Sequence, residues 1–212
     1  MSRTPDSSTG SPEEAVRARY AAAAGQREAA LCCPVDYDPQ YLEPIPDAVL
    51  ERDYGCGDPS RYVREGDAVL DLGSGGGKIC FIAAQIVGAK GSVIGVDVNE
   101  EMLALARGAA PEVARRIGFE NVQFVRGRIQ DLALDLDRVE TWLHEHPVSG
   151  VEDLERLERE AERMRRDFPL VADRSIDVVV SNCVLNLVSD GDKAGLIREI
   201  SYSFSAFRRC SS

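Results

Sequence analysis

A chain of 212 residues, 44% hydrophobic and 29% charged, is long enough to bury a sizeable core as one domain with appendages. A net charge of −11 excludes sequence-independent nucleic-acid binding, and with no membrane-length apolar run and no secretory signal the cytoplasm is the expected compartment. Six cysteines are too sparse for a disulfide scaffold, so they are read as thiols that need another account.

Residues 1–10 are polar, rich in Ser, Thr and Pro, and are expected to be a disordered tail. Ser11-Pro12-Glu13-Glu14 then supplies an N-cap, a proline at the first helical position and a capping-box glutamate. An Ala-rich helix carrying Val16 and Tyr20 on one side is expected to run to about Ala30. Cys32 and Cys33 precede an irregular stretch with four prolines between Pro34 and Pro46, after which Pro46-Asp47 starts a short helix. That helix ends near Tyr54-Gly55-Cys56-Gly57, where two glycines around a cysteine make an exposed turn that leaves the thiol free to meet a ligand. Residues 11–66 are read together as an N-terminal helical cap bearing cysteine motifs.

The organising stretch follows. Ala68 to Leu72 is an apolar run of strand length, Gly73-Ser74-Gly75-Gly76-Gly77 is a tight loop, and Ile79, Ile82, Ala83, Ile86 and Val87 recur at helical spacing. A dinucleotide fingerprint would need a glycine at Lys78, and a P-loop would need a glycine at Leu72 and a hydroxyl residue at Ile79. What remains is Asp71-x-Gly73-x-Gly75-x-Gly77 and a second strand, Ser92 to Val98, carrying Asp97. A carboxylate at that place accepts hydrogen bonds from both ribose hydroxyls. With no pyrophosphate to hold, the loop suits an adenosine with an amino-acid tail, and the pattern resembles the S-adenosylmethionine-dependent methyltransferases. In small-molecule members of that class, N-terminal helices fold over the cofactor.

Asn99 caps a helix with Met102, Leu103, Leu105 and Ala106, and Val122 to Val125 is a third strand. In this fold class the next segment borders the adenine, so Ile129 is expected to stack on the ring and Gln130 or Asp131 to accept its amino group. Leu132 to Asp173 is an interlude of two helices. The first carries Leu136, Val139 and Leu143 on one face and stops at Pro147; the second carries Val151, Leu154, Leu157, Ala161, Met164 and Phe168. Glu155–Arg159 and Glu162–Arg166 are i,i+4 pairs on its solvated side. His144 and His146 are read as surface residues and not as metal ligands, and the insertion as a lid or a partner surface. Ser175 to Leu187 reads as a fourth strand running into a polar stop, with Asn182 and Cys183 at the same end of the sheet as the glycine loop. Lys193 to Phe204 reads as a helix that should feed a fifth strand but does not.

Three stretches resemble the arsenite methyltransferases: Tyr54-Gly55-Cys56-Gly57, the glycine loop, and Ser181-Asn182-Cys183-Val184-Leu185-Asn186-Leu187. Cys32-Cys33 is a fourth and looser match. The resemblance implies an α/β fold, a Rossmann-like doubly wound parallel sheet of a class I methyltransferase. Its methyltransferase domain would span 67–212, with a helical insertion at 134–170. It implies that Asp71, Gly73, Gly75, Gly77, Asp97, Met102, Ile129, Gln130 and Asn182 surround S-adenosylmethionine. Cys56 and Cys183 would bind trivalent arsenic as the metalloid substrate, with Cys32 or Cys33 as an auxiliary thiol and a thiol reductant as co-reactant. Cys80 is expected to pack in the core, and Cys210 matches nothing. The family lacks so long an insertion and continues with further strands, so 201–212 reads as an aberrant, truncated end that leaves a bare sheet edge. Methylation of another small acceptor, or binding without turnover, are the competing readings.

Overall fold

The computed structural model describes residues 37–52, 57–182 and 190–204. Two short helices, α1 (Pro39–Leu42) and α2 (Asp47–Leu50), and a 3-10 turn at Pro59–Tyr62 lead to the sheet. Asp38 and Asp58 cap the first helix and the turn by accepting the N–H groups of Gln40 and Ser60. The sheet elements then alternate as β1 (Ala68–Leu72), α3 (Lys78–Val87), β2 (Ser92–Asp97), α4 (Glu100–Ile117) and β3 (Val122–Arg126). Two helices, α5 (Leu136–Glu145) and α6 (Val151–Asp167), intervene before β4 (Val178–Ser181) and α7 (Asp190–Ser203).

All four strands are parallel in the order β3-β2-β1-β4, with Asp71 opposite Gly95 and Val180, and Asp97 opposite Arg126. Such a sheet must be covered on both faces, and alternate residues of β1 accordingly enter two separate cores. Val69 packs with Ile79, Phe81, Ile82, Leu103 and Phe124 beneath α3 and α4. Leu70 and Leu72 pack with Val96, Ile129, Leu132, Ile176 and Leu196 on the α7 side. Because the strands are parallel and the order turns back only once, from β3 across to β4 on the other side of β1, the C-terminal ends of β1, β2 and β4 share one rim with the glycine loop.

Several expectations shift in detail. The second strand ends at Asp97, because Asn99 begins α4 by accepting the N–H groups of Glu101 and Met102. The last helix starts at Asp190 and closes at Ser203. Just before β4, Phe204 forms an isolated parallel bridge to Ile176, whose N–H donates to the Ser203 carbonyl at 3.0 Å. Among the described residues the sheet has four strands and no fifth.

The apolar stripe of α6 is split. Ala161 and Met164 are buried, whereas Val151 is 75% exposed and Leu154 47%, because only the C-terminal half of the helix lies against the domain. Glu155 and Arg159 form their pair at 3.8 Å, while Arg166 turns to its neighbour Asp167 instead of Glu162. His146 stacks on Trp142 with ring centroids 4.4 Å apart, and among the described residues no cluster of metal-ligating side chains occurs. No helix among the described residues is long and apolar enough to cross a membrane.

Candidate active site

The loop after β1 is built from glycines because its backbone enters the left-handed region at alternate positions, with φ of 75° at Gly73, 52° at Gly75 and 88° at Gly77. Gly77 has a second constraint, since a Cβ there would lie 2.5 Å from the Phe124 ring. The Gly73 and Ser74 N–H groups donate to the Val96 carbonyl at 2.8 and 3.0 Å, which docks the loop on the end of β2.

Asp97 completes that docking. Its Oδ2 accepts the Gly75 N–H and its Oδ1 the Asn99 N–H, each at 2.8 Å, so one carboxylate ties the loop to the start of α4. Burial pushes this carboxyl above the usual aspartate value, against the pull of the backbone N–H groups of Asn99, Gly75 and Val98. An ionised carboxylate offers about four lone-pair sites, so acceptor capacity remains beyond the two backbone bonds. Met102, buried on α4, brings its Cε to within 3.6 Å of where a side chain on Gly75 would begin. The hydroxyl of Ser74 is buried and has no hydrogen-bond partner among the described residues.

Asp71, 2% exposed, accepts the Cys80 thiol at 3.3 Å. Burial first, and then the Asp71 charge, hold Cys80 well above its ordinary value, so the thiol stays protonated and donates. Cys80 is a core residue of α3, as the sequence indicates.

The rim near β4 joins three distant segments. The Gly57 carbonyl accepts the Tyr37 hydroxyl at 2.7 Å and the Asn182 side-chain N–H at 3.1 Å. The Lys78 ammonium lies 4.1 Å above the Tyr37 ring, a cation–π contact at the first residue of α3. Asn182, expected beside the cofactor, is thus also a tie across the rim.

Of the residues singled out from the sequence, Asp71, Gly73, Gly75, Gly77, Asp97 and Met102 converge at the ends of β1 and β2. Ile129 and Gln130 lie on the turn after β3, but Ile129 is only 7% exposed and belongs to the α7-side core, with Gln130 half-buried beside it. Asp131 is engaged by Arg165 at 2.8 Å. Cys32, Cys33, Cys56, Cys183 and Cys210 lie outside the described residues. Sequence reasoning missed Ser74, Lys78 and Tyr37. Lys78 was visible as the departure from the dinucleotide fingerprint, whereas Tyr37 sits in a proline-rich stretch with no periodic signal.

A family model described as a methyltransferase domain matches residues 64–168. The chain is 39% identical to an arsenite methyltransferase of Aquipseudomonas alcaligenes over 165 residues, which is 76% of this chain and 38% of that relative. It is 36% identical over 138 residues to an arsenite methyltransferase of Halobacterium salinarum, covering 64% of this chain and 25% of that one. A solved arsenic (III) S-adenosylmethionine methyltransferase from Chlamydomonas reinhardtii matches with a TM-score of 0.59 at 31% identity, over 82% of this chain and 46% of its own. The chain spans less than half the length of each of these relatives. With its parallel sheet, its glycine loop and Asp97 at the end of β2, the chain belongs to the arsenite methyltransferase family of class I S-adenosylmethionine-dependent methyltransferases.

Proposed function

We propose that this chain binds S-adenosylmethionine at the ends of β1 and β2 and takes part in methyl transfer to trivalent arsenic held by Cys56 and Cys183. The residues present suit that cofactor: the Ser74 hydroxyl is buried without a partner among the described residues, and Asp97 retains acceptor capacity. Asp97 would take the ribose hydroxyls. Gly75 and Gly76, under Met102, would let the tail approach the backbone. Gln130 would meet the adenine edge, and Asp71 would line the base of the site. Bound S-adenosylmethionine supplies an electrophilic methyl group on a sulfonium sulfur and leaves as a neutral thioether.

One observation carries the arsenic reading: the Asn182 side chain donates to the Gly57 carbonyl across 125 positions of sequence. Gly57 follows Cys56 and Asn182 precedes Cys183. That contact between the neighbours of the two cysteines in sequence is what supports reading Cys56 and Cys183 as ligands of one arsenic. Thiolates are the soft ligands that trivalent arsenic prefers. Arsenic held by thiols keeps its lone pair and carries no proton, so the chain needs no general base. Its own contributions are alignment and the exclusion of water. Cys32 or Cys33 would be the auxiliary thiol, with an exogenous thiol as reductant in a reducing cytoplasm. Cys80, buried and protonated against Asp71, takes no part.

The test is calorimetric titration with S-adenosylhomocysteine, followed by methyl-transfer assays with arsenite and thiol. Cys183→Ser is expected to abolish arsenite methylation while leaving S-adenosylhomocysteine affinity within about twofold, since the cysteine is read as a ligand of the substrate and not of the cofactor. Full activity of that variant overturns the arsenic assignment, and turnover of another acceptor alone overturns the substrate.

A further inference from the structure

The turn after β3 is gripped from the insertion. In the last turn of α6, Arg165 presents Nε to Asp131 Oδ1 and Oδ2 at 3.2 and 3.0 Å, and Nη2 to Oδ2 at 2.8 Å. This is the planar, forked contact that a guanidinium makes with a carboxylate and an ammonium cannot. Asp131 holds the Arg165 guanidinium above its usual value, as a close ion pair must. The chain beyond α6 then pairs with the same turn: Leu170 N–H donates to Ala133 at 3.0 Å and Val171 N–H to Leu132 at 2.9 Å. From α7, Glu199 accepts the Leu132 N–H at 3.2 Å. Gly127 is bare because any side chain there would begin 2.4 Å from Leu170. At its other end the turn reaches the site, where Gly127 N–H donates to the Asp97 carbonyl at 3.0 Å.

Arg107 and Arg126 fasten α5 in the same manner. Arg107 bonds the Phe124 carbonyl at 3.1 Å and Asp137 at 2.7 Å, and Arg126, opposite Asp97 in the sheet, pairs with Glu140. The insertion is thus tied to the sheet side of the domain through these ion pairs, α6 by its C-terminal half.

We infer that the α5–α6 insertion is a brace, and that Arg165 and Asp131 are positioning residues that set the Arg128–Asp131 turn, with Ile129 and Gln130 on it, against the cofactor. This rests on the cofactor reading above. Asp131, expected with Gln130 at the adenine amino group, is in this structure the partner of Arg165 through both of its oxygens. The pair is partly exposed, 38% and 27%, and such pairs add little to global stability. Its loss should therefore disturb the turn more than the fold.

The experiment measures S-adenosylhomocysteine affinity and the urea midpoint of the full chain for Arg165→Ala, Asp131→Ala, the double variant, and the exchange of Asp131→Arg with Arg165→Asp. Each single variant is expected to bind about fivefold to tenfold more weakly, the double no more weakly than either, and the exchange to recover most of the affinity. The midpoint should barely move. Unchanged affinity in the single variants overturns the inference. So does a loss that follows the midpoint and is not recovered by the exchange. Absence of binding by the wild-type chain overturns the cofactor reading instead, and amide exchange at residues 129–132 then decides on the brace: unaccelerated exchange in Arg165→Ala removes it as well.

Discussion

At the scale of single residues, Asp97 has two duties that pull its proton in opposite directions. Burial disfavours its charge, while the Gly75 and Asn99 N–H groups favour it. The net displacement is upward, so between the ordinary aspartate value and the raised one the folded chain keeps a proton the unfolded chain has lost. Folding stability from this group therefore falls as pH rises through that window. Ligand binding runs the other way, because only the ionised carboxylate has its full set of acceptors for ribose hydroxyls. Asp97→Ala is expected to weaken S-adenosylhomocysteine binding by about 1–3 kcal/mol. Wild-type affinity should decline on acidification, whereas Asp97→Asn should show a flatter profile. Calorimetry across a pH series checks both. Gly77 offers a structural counterpart: at φ 88° and 2.5 Å from the Phe124 ring, Gly77→Ala should cost about 1–3 kcal/mol in urea denaturation.

At the scale of elements, the insertion has an inner end and an outer end. Met164 is buried near the turn that Arg165 holds, whereas Val151 at the far end of the same helix is 75% exposed. Met164→Ala should therefore destabilise the chain by about 2 kcal/mol or more, as for a buried large-to-small change. Val151→Asp should leave the denaturation midpoint within about 0.5 kcal/mol. Equal costs at the two positions would mean that the whole length of α6 is packed. Phe168, beyond its last turn, lies under the guanidinium groups of Arg138 at 5.1 Å and Arg163 at 5.7 Å, which ties α6 back to α5.

At the scale of the whole molecule, the segment leading into β4 is tied to the end of α7. Arg174 and Ile176 donate to the Tyr202 and Ser203 carbonyls at 2.9 and 3.0 Å. Removing the residues after Ile200 deletes both acceptors, and hydrogen exchange at the Arg174 and Ile176 amides should then quicken by at least about tenfold. Amides within β1 should keep their rates, because β1 is paired on both sides. Unchanged exchange at Ile176 would show that the bridge to Phe204 contributes nothing.

How much of this was legible beforehand follows the range of the interactions. The strand at Ala68–Leu72, the glycine loop, the Asn99 cap and the helices of the insertion were all readable, because period, φ preference and capping are decided by residues within a few positions of one another. Asp97 was readable for the same reason, as a carboxylate at a strand end. What only the tertiary structure decided is which distant groups meet. Asn182 reaches Gly57, Asp131 is taken by Arg165, Ile129 is drawn into the core, and Phe204 bridges to Ile176. Each depends on strand order and helix placement, which bring together segments that carry no mark of one another in the sequence.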